Sequence, residues 1–176
     1  MKKNKQSVFK FSLFGSRAEV HNQFISDSLD FDTTINKIKS LVKAGDKEKI
    51  IINIDVFISN NPDNSNYYRL HDIIRIILNF GIKRVQFNLI NPDDNKLIDS
   101  LDIVASYISK ARYVFLFDLI VKVKGLPYCL IPEPESLIIK SSNKNDFVKL
   151  KRCKLCSYNQ KCDGILKGYL KKQIFD

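Results

Sequence analysis

The chain has 176 residues, 44% of them hydrophobic and 27% charged, which is enough to bury a core and too apolar for wholesale disorder. No apolar run approaches the roughly 20 residues of a membrane-crossing helix. No apolar stretch of the signal-peptide kind follows the basic start Met1-Lys2-Lys3-Asn4-Lys5, so a cytoplasmic protein without a membrane partner is expected. A net charge of +10 attracts phosphates. The lysines, however, are scattered through a chain rich in Lys, Ile and Asn, and no nucleic-acid-binding motif accompanies them. Nucleic-acid binding is therefore the lesser reading.

In chain order, residues 8–13 form a short strand pattern. Residues 30–44 form an amphipathic helix with Phe31, Ile35, Ile38, Leu41 and Val42 on one face and Gly45 as its stop. Residues 50–58 form a second strand. A polar turn at 60–65 precedes a helix over 67–80, whose stripe is Leu70, Ile73, Ile74, Ile77 and Leu78 and which Gly81 ends. A strand at 84–90, a turn at 91–94, a helix at 96–110 carrying Leu97, Leu101, Val104 and Ile108, and a fourth strand at 112–123 complete the series. Strands alternating with helices through short connections give an α/β fold with a parallel sheet.

Buried parallel strands usually read as unbroken apolar runs. Here one strand face is apolar while the other carries Lys10 and Ser12, then Asn53 and Asp55, then Gln86 and Asn88, and then Asp118. Two arrangements fit. In one, a barrel-type sheet keeps a polar cavity inside and helices outside; in the other, a sheet covered on one side leaves its polar face in water. The pattern favours the cavity.

After Val123 the character changes. All four cysteines lie in the last stretch: Cys129 in Gly125-Leu126-Pro127-Tyr128-Cys129, and Cys153, Cys156 and Cys162 as C-x2-C-x5-C. Disulfides are poor candidates in a reducing compartment. Four thiolates suit an iron–sulfur cluster or structural zinc. Zinc ribbons usually pair two C-x2-C knuckles, whereas this chain has one, and His21 and His71 lie far from it in sequence. Lys151, Arg152, Lys154 and Lys161 offset the charge of either centre. Spacing alone leaves both metals open. The organisation expected is an α/β unit over 1–125 and a cysteine-rich metal segment over 126–176.

Several stretches resemble radical S-adenosylmethionine (SAM) enzymes, in the same order along the chain. Phe11-Ser12-Leu13-Phe14-Gly15 followed by Ala18-Glu19-Val20-His21-Asn22 is similar to the fourth core strand and its loop, with Asn22 where that family has an acid. Residues 31–38 with Ala44-Gly45 resemble the next helix. Ile52-Asn53-Ile54 resembles the fifth strand, and Gly81-Ile82-Lys83-Arg84-Val85-Gln86-Phe87 with Asn91-Pro92 the approach to the sixth. Leu126-Pro127-Tyr128-Cys129 and Cys153-x2-Cys156-x5-Cys162-x-Gly164 are similar to the auxiliary-cluster segment of some members.

The resemblance implies a partial (half) β/α barrel of parallel strands with an auxiliary 4Fe–4S cluster on Cys129, Cys153, Cys156 and Cys162. It also implies SAM-contacting positions at Ser12 and Asn53. The chain departs from the family in having no C-x3-C-x2-C loop and no Gly-Gly-Glu segment. A truncated or split relative is therefore expected, one that binds SAM only with a complementing half, supplied by a separate N-terminal half-barrel chain or within a homodimer. An unpaired edge at the first strand calls for such a partner. His21 is expected to make a local hydrogen bond in its loop. The rival reading is a non-enzymatic binding module whose cysteines hold zinc.

Overall fold

The computed structural model describes residues 7–25, 29–56, 66–90, 101–114, 119–131 and 138–170. The ends of the strand expected at 50–58 and of the helix at 96–110, the turns at 60–65 and 91–94, and Asp118 lie outside these residues.

Strand β1 (Phe9–Leu13) leads through the short helix α1 (Ala18–His21) to helix α2 (Phe31–Lys43). Asp30 caps α2 by accepting the Thr33 N–H at 2.7 Å and the Thr33 hydroxyl at 2.8 Å, which satisfies a donor that a helix start leaves open. Ile35 and Ile38 are buried, and Phe31, Leu41 and Val42 pack at the margin, so the predicted stripe is the one that faces the core. Strand β2 (Ile50–Val56), helix α3 (Leu70–Asn79) and strand β3 (Arg84–Leu89) follow. On α3, Leu70, Ile73, Ile74 and Ile77 are fully buried.

The next element departs from the sequence expectation. Helix α4 runs over Leu101–Val114 and strand β4 is Ile120–Lys124, so residues 112–114, expected in a strand, end a helix. The apolar run from Val114 onward looks alike in either state. What decides is that Leu101, Val104, Ala105, Ile108 and Ala111 keep helical spacing and are all buried. A fifth strand that the pattern did not show, β5 (Ile138–Ile139), pairs with β4.

The five strands form one parallel sheet in the order β1-β2-β3-β4-β5. A sheet that advances one strand at a time with right-handed crossovers carries all its helices on one face; a doubly wound sheet would need the order to reverse. The burial agrees. Ile50, Ile52, Ile54, Val56, Val85, Phe87, Leu89, Val121 and Val123 are buried on the helix side, and their alternate neighbours are half-buried or exposed.

The tail is tied to this body. Strands β6 (Phe147–Val148) and β7 (Ile165–Leu166) pair antiparallel, and helix α5 (Lys167–Leu170) follows. Leu126, Ile131, Ile165, Leu166 and Tyr169 belong to the same apolar core as the sheet. The fully buried Tyr169 donates its hydroxyl to the Ile90 carbonyl at 3.2 Å.

Candidate functional site

Cys129 sits five residues after β4 ends, in a single turn, Tyr128–Leu130, that Pro127 precedes. The other three cysteines lie between β6 and β7 on a run of tight turns. Cys153 N–H donates to the Leu150 carbonyl at 2.9 Å, Cys156 N–H to Cys153 at 3.2 Å, Asn159 N–H to Cys156 at 3.0 Å and Cys162 N–H to Tyr158 at 2.9 Å. Gly164 closes the loop. It has φ +105°, and a Cβ there would collide with the Val148 carbonyl of β6, so glycine is required. Its N–H points at Cys162 Sγ, 3.4 Å away.

All four cysteines line one small hollow of ≈ 30 Å³, together with Lys149 and Arg152. Cys129 is exposed as a residue and the other three are half-buried. Partial burial of the Cys129 thiol, then the proximity of Cys162, Cys156 and Cys153, push its pKa up. Among the described residues, no three His, Cys, Asp or Glu side chains form a group placed to hold a metal ion. The hollow nonetheless brings the four cysteines, from two separate segments, to one place. In number and chemistry the set fits a tetrathiolate centre: four soft ligands, an N–H donor to one sulfur, and the cations Lys149 and Arg152 in the lining.

A larger hollow of ≈ 330 Å³ lies elsewhere, between α3 and α4, lined by Tyr67, Tyr68, His71, Arg75, Tyr107 and Lys110 among others. Its lining includes no thiol and no acid, and His71 is its one metal-ligating type of side chain, so the thiols gather at the smaller hollow.

Ser12 and Asn53 are brought together on the sheet face away from the helices. They are register partners across β1 and β2, and the row continues through Gln86 on β3 to Lys122 on β4. The next row is Asp55, Asn88 and Lys124. Gln86 donates to Asn88 Oδ1 at 2.6 Å, and Asn88 donates to Asp55 Oδ1 at 2.7 Å. Burial pushes the Asp55 carboxyl above the usual carboxylate range, opposed by the Asn88 hydrogen bond and the Lys124 charge. Asn53 Oδ1 is buried without a hydrogen-bond partner, at a cost of about 1–3 kcal/mol. Ser12, Asn53, Asp55, Gln86 and Asn88 are half-buried, while Lys10 and Lys122 are exposed.

At the carboxyl ends of the first strands two side chains do structural work. His21 is fully buried. Its Nδ1 accepts the Phe14 N–H at 3.1 Å, so Nε2 carries the proton and donates to the Leu29 carbonyl at 3.1 Å. These are the local hydrogen bonds expected of it, and burial lowers its pKa. Asn66, which sequence reasoning passed over, donates to the Phe14 carbonyl at 2.9 Å and to the Asp55 carbonyl at 2.8 Å, locking the ends of β1 and β2 together.

Comparison with protein-family models, with curated proteins and with solved structures found no match.

Proposed function

We propose that this chain is a radical SAM–like half-barrel that carries an auxiliary 4Fe–4S cluster on Cys129, Cys153, Cys156 and Cys162. The observation that carries the reading is that thiols from two separate segments line one hollow with a backbone N–H aimed at a sulfur. When bound, such a cluster supplies one-electron transfer. The chain's own part is to hold the four thiols, to donate a hydrogen bond from Gly164 N–H to Cys162 Sγ, and to set Lys149 and Arg152 beside the negative ligand set.

The small volume of the hollow suits a single ion such as zinc. The ordered resemblance along the chain decides for the cluster. It is supported by a sequential parallel sheet with its helices on one side, the arrangement a β/α barrel needs. The half-barrel's polar face, the unpartnered Asn53 Oδ1 and the edge strand β1 are consistent with closure by further strands, on a separate chain or in a second copy. Ser12 and Asn53 then contact SAM only in the closed assembly. The chain alone, with no C-x3-C-x2-C loop in its sequence, does not cleave SAM.

The test is iron, sulfide and zinc content with a visible spectrum, on protein purified without oxygen. About four irons and four sulfides per chain are expected for a 4Fe–4S site. One zinc without sulfide would replace this reading with that of a zinc-stabilised binding module. Light scattering checks the assembly: a stable mass of 20.4 kDa, that of one chain, would rule out the homodimer.

A further inference from the structure

We infer that the hollow between α3 and α4 is a binding site for a nucleoside monophosphate, with the base against its tyrosines and the phosphate held by Arg75 and Lys110. The site stands apart from the cysteines and from Ser12 and Asn53. It belongs to the helix layer, across the sheet from the polar face.

Two helix faces build the hollow. His71 and Arg75 stand four residues apart on α3, and Tyr107, Lys110 and Ala111 keep three- and four-residue spacing on α4, so each set shares one face of its helix. The turn Tyr67–Arg69, which leads into α3, adds Tyr67 and Tyr68. Leu70 and Ala111, both buried, give the lining an apolar base. Tyr67 packs edge to face on Tyr68 and on Tyr107, with ring centroids 5.5 Å and 5.2 Å away. Such contacts fix the three rings against one another. Tyr67 is buried, whereas Tyr68 and Tyr107 are half-buried and keep aromatic surface open to a ligand.

The charges around these rings have one sign. Arg75 and Lys110 are exposed, and neither forms an ion pair among the described residues. Lys110 Nζ lies 5.4 Å from the Tyr107 ring centroid. His71 Nε2 is engaged by Asp72 at 3.2 Å, so the two free cations are one arginine and one lysine, on different helices. No acid among the described residues lines the hollow. The arginine fork takes phosphate oxygens two at a time and lysine adds a compact charge, a match for a phosphate monoester of about −1.5 to −2 near neutral pH. Tyrosine faces stack a base without regard to its sequence. An inorganic phosphate would leave the rings unused, and an uncharged aromatic would leave Arg75 and Lys110 unused. At ≈ 330 Å³ the hollow lies at the small end of ligand sites, about 300–1,000 Å³, which suits one nucleotide and not a dinucleotide.

The experiment is isothermal titration of the full chain with adenosine 5′-monophosphate. Saturable binding at one site is expected, with a Kd on the order of 10–100 μM. Adenosine and ribose 5-phosphate each carry half of the ligand, and each is expected to bind at least about tenfold more weakly. Arg75→Gln with Lys110→Gln is expected to weaken nucleotide binding about tenfold or more. Because both side chains are exposed, the thermal midpoint of this variant is expected to match the parent. Tyr107→Leu is expected to weaken the nucleotide about fivefold or more and to leave ribose 5-phosphate unchanged. Lys37→Gln with Lys39→Gln removes the same charge from exposed positions of α2 and is expected to stay within about twofold.

No saturable binding of the nucleotide would overturn the site. Equal weakening by both charge pairs would reduce the effect to net charge and overturn it too. Adenosine or ribose 5-phosphate binding as tightly as the nucleotide would overturn the ligand class, by removing the phosphate or the base from recognition. A five-nucleotide single strand that binds more tightly than the nucleotide, with the same dependence on Arg75 and Lys110, would overturn it in favour of nucleic acid. Binding lost in Asn53→Val and kept in the Arg75 and Lys110 variant would move the nucleotide to the polar face of the sheet.

Discussion

Strand β2 and the turn Lys151–Leu155 are of similar length, seven residues and five. Four of the seven in β2 (Ile50, Ile52, Ile54 and Val56) are wholly removed from solvent; none of the five in the turn is buried. The sheet is held by apolar area, at about 1.5–3 kcal/mol for each fully buried large aliphatic side chain. The cysteine loop has no comparable area. Its order rests on short backbone hydrogen bonds, on the roots Ile165, Leu166 and Tyr169 in the core, and, in the function proposed here, on a metal. Hydrogen bonds exposed to water contribute little net stability, so the two regions are expected to respond to different perturbations.

The sharpest way to break that contrast is to remove the metal, by chelation or by Cys156→Ser. Structural metal sites contribute on the order of 10 kcal/mol of apparent folding energy. Amide exchange at Cys156, Asn159 and Cys162 is expected to rise to nearly unprotected rates while β1 to β4 keep their protection. Protection that survives in metal-free protein would show the loop to be self-supporting. Phe87→Ala approaches the contrast from the other side. The fully buried ring leaves a cavity at a cost of about 3–5 kcal/mol, read as a lower denaturant midpoint. Metal content is expected to fall with it, since the tail's roots share that core.

Smaller effects sharpen the picture of the polar face. Asn53→Val removes an unpartnered buried oxygen and suits a strand, so a gain of about 1 kcal/mol in the isolated chain is expected. A loss would mean that Asn53 already has a partner in solution.

The smallest effect is with pH. Because burial lowers the His21 pKa from its ordinary 6.5, the folded state binds fewer protons there than the unfolded one. That contribution is fully present above pH 6.5 and declines as the pH falls toward and through the lowered folded value. His21→Gln is expected to flatten this part of the stability profile. An unchanged slope would assign it to other groups.

Which parts of this were legible depended on how much chain each signal occupies. Helices α2 and α3 announce themselves through stripes of five apolar residues, and β1 to β3 through alternation; that alternation puts Ser12, Asn53 and Gln86 on one face, and strand register then sets them in one row. The α4–β4 junction was misread because Val114-Phe115-Leu116-Phe117 is apolar in either state. Strand β5 has two residues, too few to show any period. Asn66 is one asparagine among several in a polar turn, and its role depends on two carbonyls brought together by strand pairing. The four cysteines were visible from spacing, but the division of the basic residues into those facing the hollow and those facing outward was not, because it depends on how consecutive turns aim each side chain.

The buried hydroxyl of Tyr169 on the Ile90 carbonyl makes the cysteine loop a closed ring and not a free tail. One end leaves the sheet at β4 and the other returns to the end of β3, so Cys129 and the trio Cys153, Cys156 and Cys162 stay tethered near one another even when the metal is gone. The entropy of gathering the ligands is largely met by folding of the sheet, and the ligands see each other at a high local concentration. Metal loss is then a reversible opening within a chain that stays folded, and reloading starts from ligands already assembled.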